Sequence, residues 1–173
     1  MSSTYSVTAN HWLRNLYTAD RTLAVKSNRK AASVSALTAA DQQALRNGIR
    51  ALASYSYDNG SKDDTSSRKT DFYRNLKAFA DAYNYTIDSG TSSGDGTLEK
   101  ITKKIKTLSK KYSDQLGDYG VSFNSAGYMS VKSSAVNNIK VSNFEDTFGS
   151  DSEYMKQLDK YASSIASHIN LTV

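Results

Sequence analysis

The sequence offers few residues of the types that carry acid–base chemistry. Two histidines, His11 and His168, lie near opposite ends of the chain, and neither stands beside a carboxylate motif. Because a catalytic imidazole needs a partner to orient its ring, both are interpreted as surface or bundle-edge residues. The sequence also lacks a nucleophile elbow, a Walker loop and an H-E-x-x-H helix. We therefore predict no catalytic residue and no enzymatic activity.

Oxygen-bearing side chains gather once, in residues 58–64 (DNGSKDD). A calcium loop needs about six to eight oxygens in a set order, including a bidentate Glu. That Glu is missing here and Lys62 interrupts the series, so a solvated loop is predicted. Cysteine is absent, which excludes disulfides, thiol catalysis and Cys-based zinc sites. No metal and no cofactor are predicted.

Lysines crowd the segment around residues 100–111. They form either the solvated side of an amphipathic helix or a face that binds phosphates or an anionic membrane. The segment has no Arg and no aromatic residue on its basic side for stacking on bases, so nucleic acid is not the favoured partner. Three of the lysines are taken as candidate interaction residues: Lys103, Lys104 and Lys110.

Tyrosine is abundant, with 12 in the chain. Tyr57, Tyr73 and Tyr85 fall off the apolar stripes of the predicted helices. Tyrosine is enriched at protein interfaces, so these three join the candidate interaction surface. The alternative, neutral surface tyrosines, stays open.

Apolar residues repeat at intervals of three and four in several segments, which predicts amphipathic helices. Proline is absent, which suits long uninterrupted helices. The four clearest stripes are Leu45, Ile49, Leu52; Phe72, Leu76, Phe79, Tyr83, Ile87; Leu98, Ile101, Ile105, Leu108, Tyr112, Leu116; and Met155, Leu158, Ala162, Ile165, Ile169.

Capping residues mark the predicted helix starts, because a side-chain oxygen can accept from the free amides of a first turn. The first of these helices is predicted over 38–57. Gly48 lies inside it, where Gly costs ~1 kcal/mol against Ala unless a neighbouring helix approaches closely. The first helix has Thr38 paired with Asp41. The start of the helix near residue 97 has either Asp95 or Thr97, and the last helix has Ser150 paired with Glu153.

Residues 121–131 have a different pattern. Val121 and Phe123 alternate with polar residues, as do Met129 and Val131, and a turn sequence ending in Gly127 separates them. This predicts a β-hairpin. The predicted fold is mainly α: an antiparallel bundle of four to five helices with one small hairpin.

The length of 173 residues fits a single domain, 1–173. Residues 38–169 form the predicted bundle core, and residues 1–37 are assigned to an N-terminal tail or helix with the stripe Trp12, Leu16, Ala19, Leu23. No stretch approaches the ~18 apolar residues of a membrane span. The net charge of +5 is mild.

Three segments, taken in order, resemble the flagellar filament-cap family, hook-associated protein 2. Residues 71–87 (DFYRNLKAFADAYNYTI) are similar to its F-V-x-x-Y-N-x-L-I helix, and residues 116–131 (LGDYGVSFNSAGYMSV) to its L-x-x-L-G-I-x-x-D-x-x-G-x-L-x-I-D hairpin. Residues 144–149 (FEDTFG) are similar to its D-P-x-x-V-x-x-L-F-G turn, which a helix follows. The resemblance covers about 71–169 and implies a truncated or divergent relative of the cap protein's helical core domain.

The resemblance implies a non-enzymatic structural or assembly protein of a bacterium, acting through protein–protein contacts. The implied partners are flagellin, other flagellar axial proteins or further copies of the chain, without a small-molecule substrate. The implied location is the flagellum and the cell exterior if the chain is exported through the flagellar apparatus, and otherwise the cytoplasm. Two alternatives stay open: a basic-face binder of nucleic acid or an anionic surface, and a stand-alone helical domain.

Overall fold

Helices form most of the described part of the chain, which a computed structural model gives as residues 29–55, 65–134 and 144–172. The prediction of a mainly α antiparallel bundle with one small β-hairpin is confirmed. The predicted N-terminal helix around Trp12, the loop 58–64 and Tyr57 lie outside the described residues. In chain order the elements are α1 (Val34–Ala53), α2 (Thr65–Thr91), α3 (Gly96–Lys111), α4 (Ser113–Gly117), β1 (Val121–Phe123), β2 (Met129–Val131), α5 (Phe144–Phe148) and α6 (Glu153–Thr172).

The four long helices close into a bundle around one hydrophobic core. Helix α1 packs against α2 and α6, and α3 packs against the same two helices. Each fully buried Leu, Ile or Phe side chain contributes roughly 1.5–3 kcal/mol, so these stripes supply most of the stabilisation. The side chains with no exposed surface include the whole predicted α2 stripe: Phe72, Leu76, Phe79, Tyr83, Ile87, with Leu45, Leu52, Ile105, Leu158 and Ile165 from the other helices.

Helix α1 begins earlier than the sequence predicted. Its N-cap is Ser33, whose Oγ accepts a hydrogen bond from the Ala36 amide at 3.3 Å. The predicted start at Thr38 is wrong, because the Thr38 hydroxyl donates to the Val34 carbonyl inside the helix at 2.9 Å. The helix also ends earlier, at Ala53.

The prediction for Gly48 is confirmed. A Cβ atom at this position would lie 3.2 Å from Cα and 3.4 Å from Cβ of Phe79 on α2. The backbones of α1 and α2 therefore approach closely here, and the absence of a side chain at Gly48 permits that approach.

The single helix predicted from Leu98 to Leu116 is wrong. Helix α3 ends at Lys111, Tyr112 leaves the helical conformation at φ −101° and ψ 14°, and α4 follows. The inward face also shifts within α3: Leu108 is only half-buried, whereas Ser109 is fully buried. The cause is a hydrogen bond of 3.1 Å between the Ser109 hydroxyl and the Tyr154 hydroxyl of α6.

Helix α6 begins with a different cap from the one predicted. The Ser152 hydroxyl donates to the Thr147 carbonyl at 2.7 Å, and its oxygen lies 3.4 Å from the Met155 amide that it caps. The predicted capping box of Ser150 with Glu153 is therefore wrong, because the cap lies two residues after Ser150 and links α6 to α5.

The hairpin pairs β1 with β2 in antiparallel register, with Val121 opposite Val131 and Phe123 opposite Met129. These four side chains face the bundle, while Ser122 and Ser130 lie on the outer face and share a hydrogen bond of 2.9 Å. Gly127 completes the turn at φ 85°, a conformation that other residues rarely adopt.

Buried tyrosine hydroxyls make the bundle sensitive to alkali. The Tyr83 hydroxyl is buried beside Ser109, whose hydroxyl lies 3.1 Å from the Tyr154 hydroxyl and offsets part of the effect of burial on Tyr83. Burial raises the pKa of Tyr83 to about 12. The folded protein therefore keeps the Tyr83 proton while the unfolded chain loses it near pH 10, which favours unfolding above that pH.

We expect the free energy of unfolding to fall between about pH 10 and 12, by about 1.4 kcal/mol per pH unit for Tyr83. The Tyr83→Phe variant should match wild type within ~1 kcal/mol at pH 8 and lose less stability at pH 11. Urea unfolding followed by circular dichroism at both pH values measures this. Tyr73→Phe, a half-buried tyrosine on the same helix, is the control, and an equal alkaline loss in all three proteins would contradict the assignment.

Candidate functional site

The predicted interaction residues lie on different surfaces. Lys103 and Lys104 line a groove between α3 and α6, and Lys110 lines a second groove between α3 and the hairpin. Tyr85 is half-buried, with the Arg29 guanidinium 4.1 Å above its ring centre. Tyr73 is half-buried and packs against the core. The structure therefore brings together two of the predicted lysines and gives Tyr85 a packing role.

The groove between α3 and α6 is named the basic groove. It has a volume of about 540 Å³, and its rim is formed by four lysines, Lys100, Lys103, Lys104 and Lys111. All four side chains are exposed. Among the described residues that line it there is no carboxylate. The rim therefore concentrates positive charge over one face of the bundle.

The floor of the basic groove is apolar. Leu108 of α3 and Tyr161 of α6 line it from opposite sides, and both are half-buried. Leu108 faces the groove because Ser109 occupies the inward position of α3. An apolar floor beneath a charged rim suits an amphipathic partner better than a purely charged one.

Two side-chain hydrogen bonds hold α3 against α6 and so fix the shape of the groove. Near the C-terminal end of α3, Ser109 bonds to Tyr154, and the rings of Tyr112 and Tyr154 lie 5.3 Å apart. At its N-terminal end, Asp95 Oδ2 lies 2.8 Å from His168 Nε2. The sequence could not pair these residues, because they are 73 positions apart.

Asp95 has a second role as the N-cap of α3. Its Oδ1 accepts from the amides of Thr97 at 2.7 Å and Leu98 at 3.0 Å, which confirms one of the two predicted caps. The hydrogen bond to His168 lowers the pKa of Asp95, with the two amides adding to the effect. The Asp95–His168 pair thus joins two helices, and neither residue lines the basic groove.

The groove beside the hairpin has a volume of about 550 Å³ and is lined by Lys106, Lys110 and the half-buried Phe123. Lys106 lies over the ring of Tyr128, with its Nζ 5.9 Å from the ring centre. Tyr128 donates to Asp88 of α2 at 2.5 Å. This side of α3 is therefore also basic, but its lysine and tyrosine contacts serve to hold the hairpin turn.

A third cavity, of about 690 Å³, lies beside α5 and the start of α6. Its lining is acidic and includes Glu145, Asp146, Asp151 and Glu153 together with Tyr55. Lys156 forms an exposed ion pair with Asp151 at 3.3 Å. The surface charge of the bundle is therefore divided, with lysines along α3 and carboxylates near α5.

Within the described ranges, no cluster of three or more His, Cys, Asp or Glu side chains is arranged to hold a metal ion. No helix in the same ranges combines the length and apolarity of a membrane span.

Sequence reasoning found the lysines of the basic groove but missed Leu108 and Tyr161. Leu108 lies on the three/four stripe and was therefore expected in the core. Tyr161 supplies the aromatic residue that α3 itself lacks, and it comes from a helix distant in the chain. The spacing of residues within one helix does not indicate that Leu108 and Tyr161 lie in the same groove.

Comparison with known proteins identifies no relative. No family model matches the chain, and no curated protein and no solved structure gives a significant match. A proposal about function therefore depends on the sequence pattern and the geometry of the molecule itself.

Proposed function

We propose that this chain is a non-enzymatic structural or assembly protein, related to the flagellar filament-cap family, that acts through protein–protein contacts. The observation that carries the proposal is that the three segments on which the resemblance depends contact one another in the core. A shared sequence pattern is more informative when its residues are joined in space than when they are scattered.

The first and second of these segments meet at Asn84. Its side-chain oxygen accepts from the Met129 amide at 2.7 Å, and its amide group donates to the Met129 carbonyl at 2.9 Å. The Y-N pair of the helix motif and the second strand of the hairpin motif are thus one structural unit. This supports kinship with a family in which both motifs occur in the same order.

The third segment joins the same core through its phenylalanines. The ring of Phe148 lies 5.0 Å from that of Tyr119 and 6.1 Å from that of Phe72. Edge-on aromatic contacts of this kind contribute ~0.5–1.5 kcal/mol each beyond burial. The third segment therefore packs against residues of both other segments.

The surface supports a role in protein contact. The basic groove is open, and its apolar floor and charged rim match the pattern of a protein-binding patch, in which an apolar centre is surrounded by polar residues. Flagellin or another axial protein is the proposed partner. Binding of nucleic acid or an anionic surface by the same lysines is the alternative.

The proposal predicts that the full chain binds purified flagellin of the same bacterium. Co-sedimentation with flagellin filaments at ~50 mM salt, with light scattering to record the mass of the free chain, measures this. Serum albumin, which is acidic and unrelated, is the control for unspecific charge attraction. Failure to bind flagellin, together with retention on single-stranded RNA or anionic vesicles that falls steeply by about 200 mM salt, would favour the alternative.

A further inference from the structure

We propose that the basic groove binds an acidic amphipathic helix of another protein. The inference rests on the proposed role in protein contact, but it does not depend on flagellin being the partner. Shape, floor and charge each contribute a separate argument.

The shape of the site is a trough between two packed helices. Helices α3 and α6 lie side by side, and the rim lysines run from Lys100 to Lys111. At 1.5 Å per residue this run is about 16 Å long, or about three helical turns. A third helix packs naturally into the groove between two others, since its side chains enter the space between their ridges.

The floor accounts for the amphipathic character of the ligand. Leu108 and Tyr161 present partly exposed apolar surface at the base of the trough. A helix with Leu or similar residues at intervals of three and four would cover both side chains with one face. A polyanion without apolar groups would leave that surface in water.

The charge of the rim favours an acidic partner over the predicted N-terminal helix of this chain. The sequence stripe Trp12–Leu23 is itself amphipathic, but it carries Arg14 and Arg21 against the single carboxylate Asp20. Its charge therefore has the same sign as the rim, which disfavours it as the occupant. Glutamates flanking the apolar face of a partner helix would meet the lysines instead.

Nucleic acid fits the groove less well than a helix. Among the described residues, the rim is made of lysines without arginine, so it lacks the planar, bidentate donors that recognise phosphate most strongly. The described lining also offers one aromatic ring, Tyr161, for base stacking. Nucleic acid is therefore an outcome for the test to detect.

The experiment uses the full chain and a fluorescein-labelled synthetic peptide of about 18 residues. The peptide has Leu at intervals of three and four and Glu elsewhere, and a scrambled peptide of the same composition without an apolar face is its control. Fluorescence anisotropy at ~50 mM salt should show binding of the amphipathic peptide, at least tenfold weaker binding of the scrambled one, and weakening with added salt.

Matched variants locate the site. Lys103→Glu/Lys104→Glu should weaken binding of the amphipathic peptide at least tenfold, whereas Lys30→Glu/Lys132→Glu, which makes the same charge change at exposed lysines outside the groove, should change it less than twofold. Leu108→Gln should weaken binding about fivefold, and Val34→Gln, at an exposed apolar residue of α1, should not.

Three results would overturn the inference. One is equal binding of the amphipathic and scrambled peptides. Another is stronger binding of single-stranded RNA that is insensitive to Leu108→Gln, which would identify a polyanion site. The third is a concentration-dependent doubling of mass that Lys103→Glu/Lys104→Glu abolishes, which would identify a second copy of the chain as the occupant. Because no flagellin is present, these results are separate from the flagellin test.

Discussion

Replacing Arg29 with alanine is expected to lower the free energy of unfolding by about 3 kcal/mol. Arg29 forms a two-pronged ion pair with Asp41, with Nη1 2.6 Å from Oδ1 and Nη2 2.8 Å from Oδ2. The Asp41 side chain is only 5% exposed. Removing the guanidinium would leave a buried carboxylate without its counter-ion, and that unpaired charge is the main source of the cost.

The surroundings of Arg29 add to the effect. Its guanidinium lies over the Tyr85 ring, and its hydrogen bond to Asp41 raises the pKa of Arg29 above its ordinary value. The ion pair therefore fixes Arg29 to α1, and the contact with the Tyr85 ring fixes it to α2. A lysine would keep the charge but lose the paired geometry, so Arg29→Lys should be intermediate.

Urea unfolding at pH 7, followed by circular dichroism, measures the loss. Lys30→Ala removes the neighbouring exposed cation and should change stability by less than ~0.5 kcal/mol. The double variant Arg29→Ala/Asp41→Ala should be more stable than Arg29→Ala alone, because it no longer buries an unpaired charge. A loss below ~1 kcal/mol in Arg29→Ala would mean that Asp41 is solvated.

The second large effect is expected at Asn84, where Asn84→Ala should cost about 2 kcal/mol. The Asn84 side chain supplies both hydrogen bonds to the main chain of Met129, in the way that a neighbouring strand would. Met129 is buried, so truncation would leave an amide and a carbonyl without partners. Because β1 and β2 are only three residues long, the hairpin has few other bonds to retain its position.

Hydrogen exchange read by NMR separates this loss from a global one. The Met129 amide should exchange much faster in Asn84→Ala, while amides at the centre of α2 should keep their order of protection. Asn75→Ala makes the same change on the same helix at a half-buried position and should leave the hairpin unaffected. Unchanged protection of Met129 would show that the hairpin is held by its apolar face alone.

The helix bundle was predictable because the pattern of apolar residues that specifies each helix lies within a short stretch of sequence. Buried residues recur every three or four positions along α2 and α6, and any helix that packs by one face must show this period. The hairpin was predictable for a related reason, since alternation around a glycine turn is also a short-range pattern. Burial of these same side chains also stabilises the core, so the residues that form the sequence pattern are the residues that stabilise the fold.

The errors in α3 and at the start of α6 occurred where contacts with other elements decide the local structure, whereas the error at the start of α1 concerned a local cap, Ser33. Ser109 faces inward and Leu108 outward because Tyr154, 45 residues away, offers a hydroxyl partner. Ser152 caps α6 because it also bonds to Thr147 of α5. Asp95 and His168 likewise become partners only when α3 and α6 lie together. No spacing rule within one helix contains this information, and the floor of the basic groove was missed for the same reason.

The hydrogen bonds at the two ends of α3 have a consequence for how the basic groove would bind a ligand. Asp95 bonds to His168 at one end and Ser109 bonds to Tyr154 at the other, so the two helix backbones that form the trough are held together in the free protein. For the proposed helical ligand, the loss of backbone conformational entropy on association would then fall mainly on the ligand, while the exposed lysines of the rim would lose side-chain freedom. Affinity at such a surface is governed by how readily the ligand folds, so its sequence-intrinsic helicity becomes a determinant of selectivity.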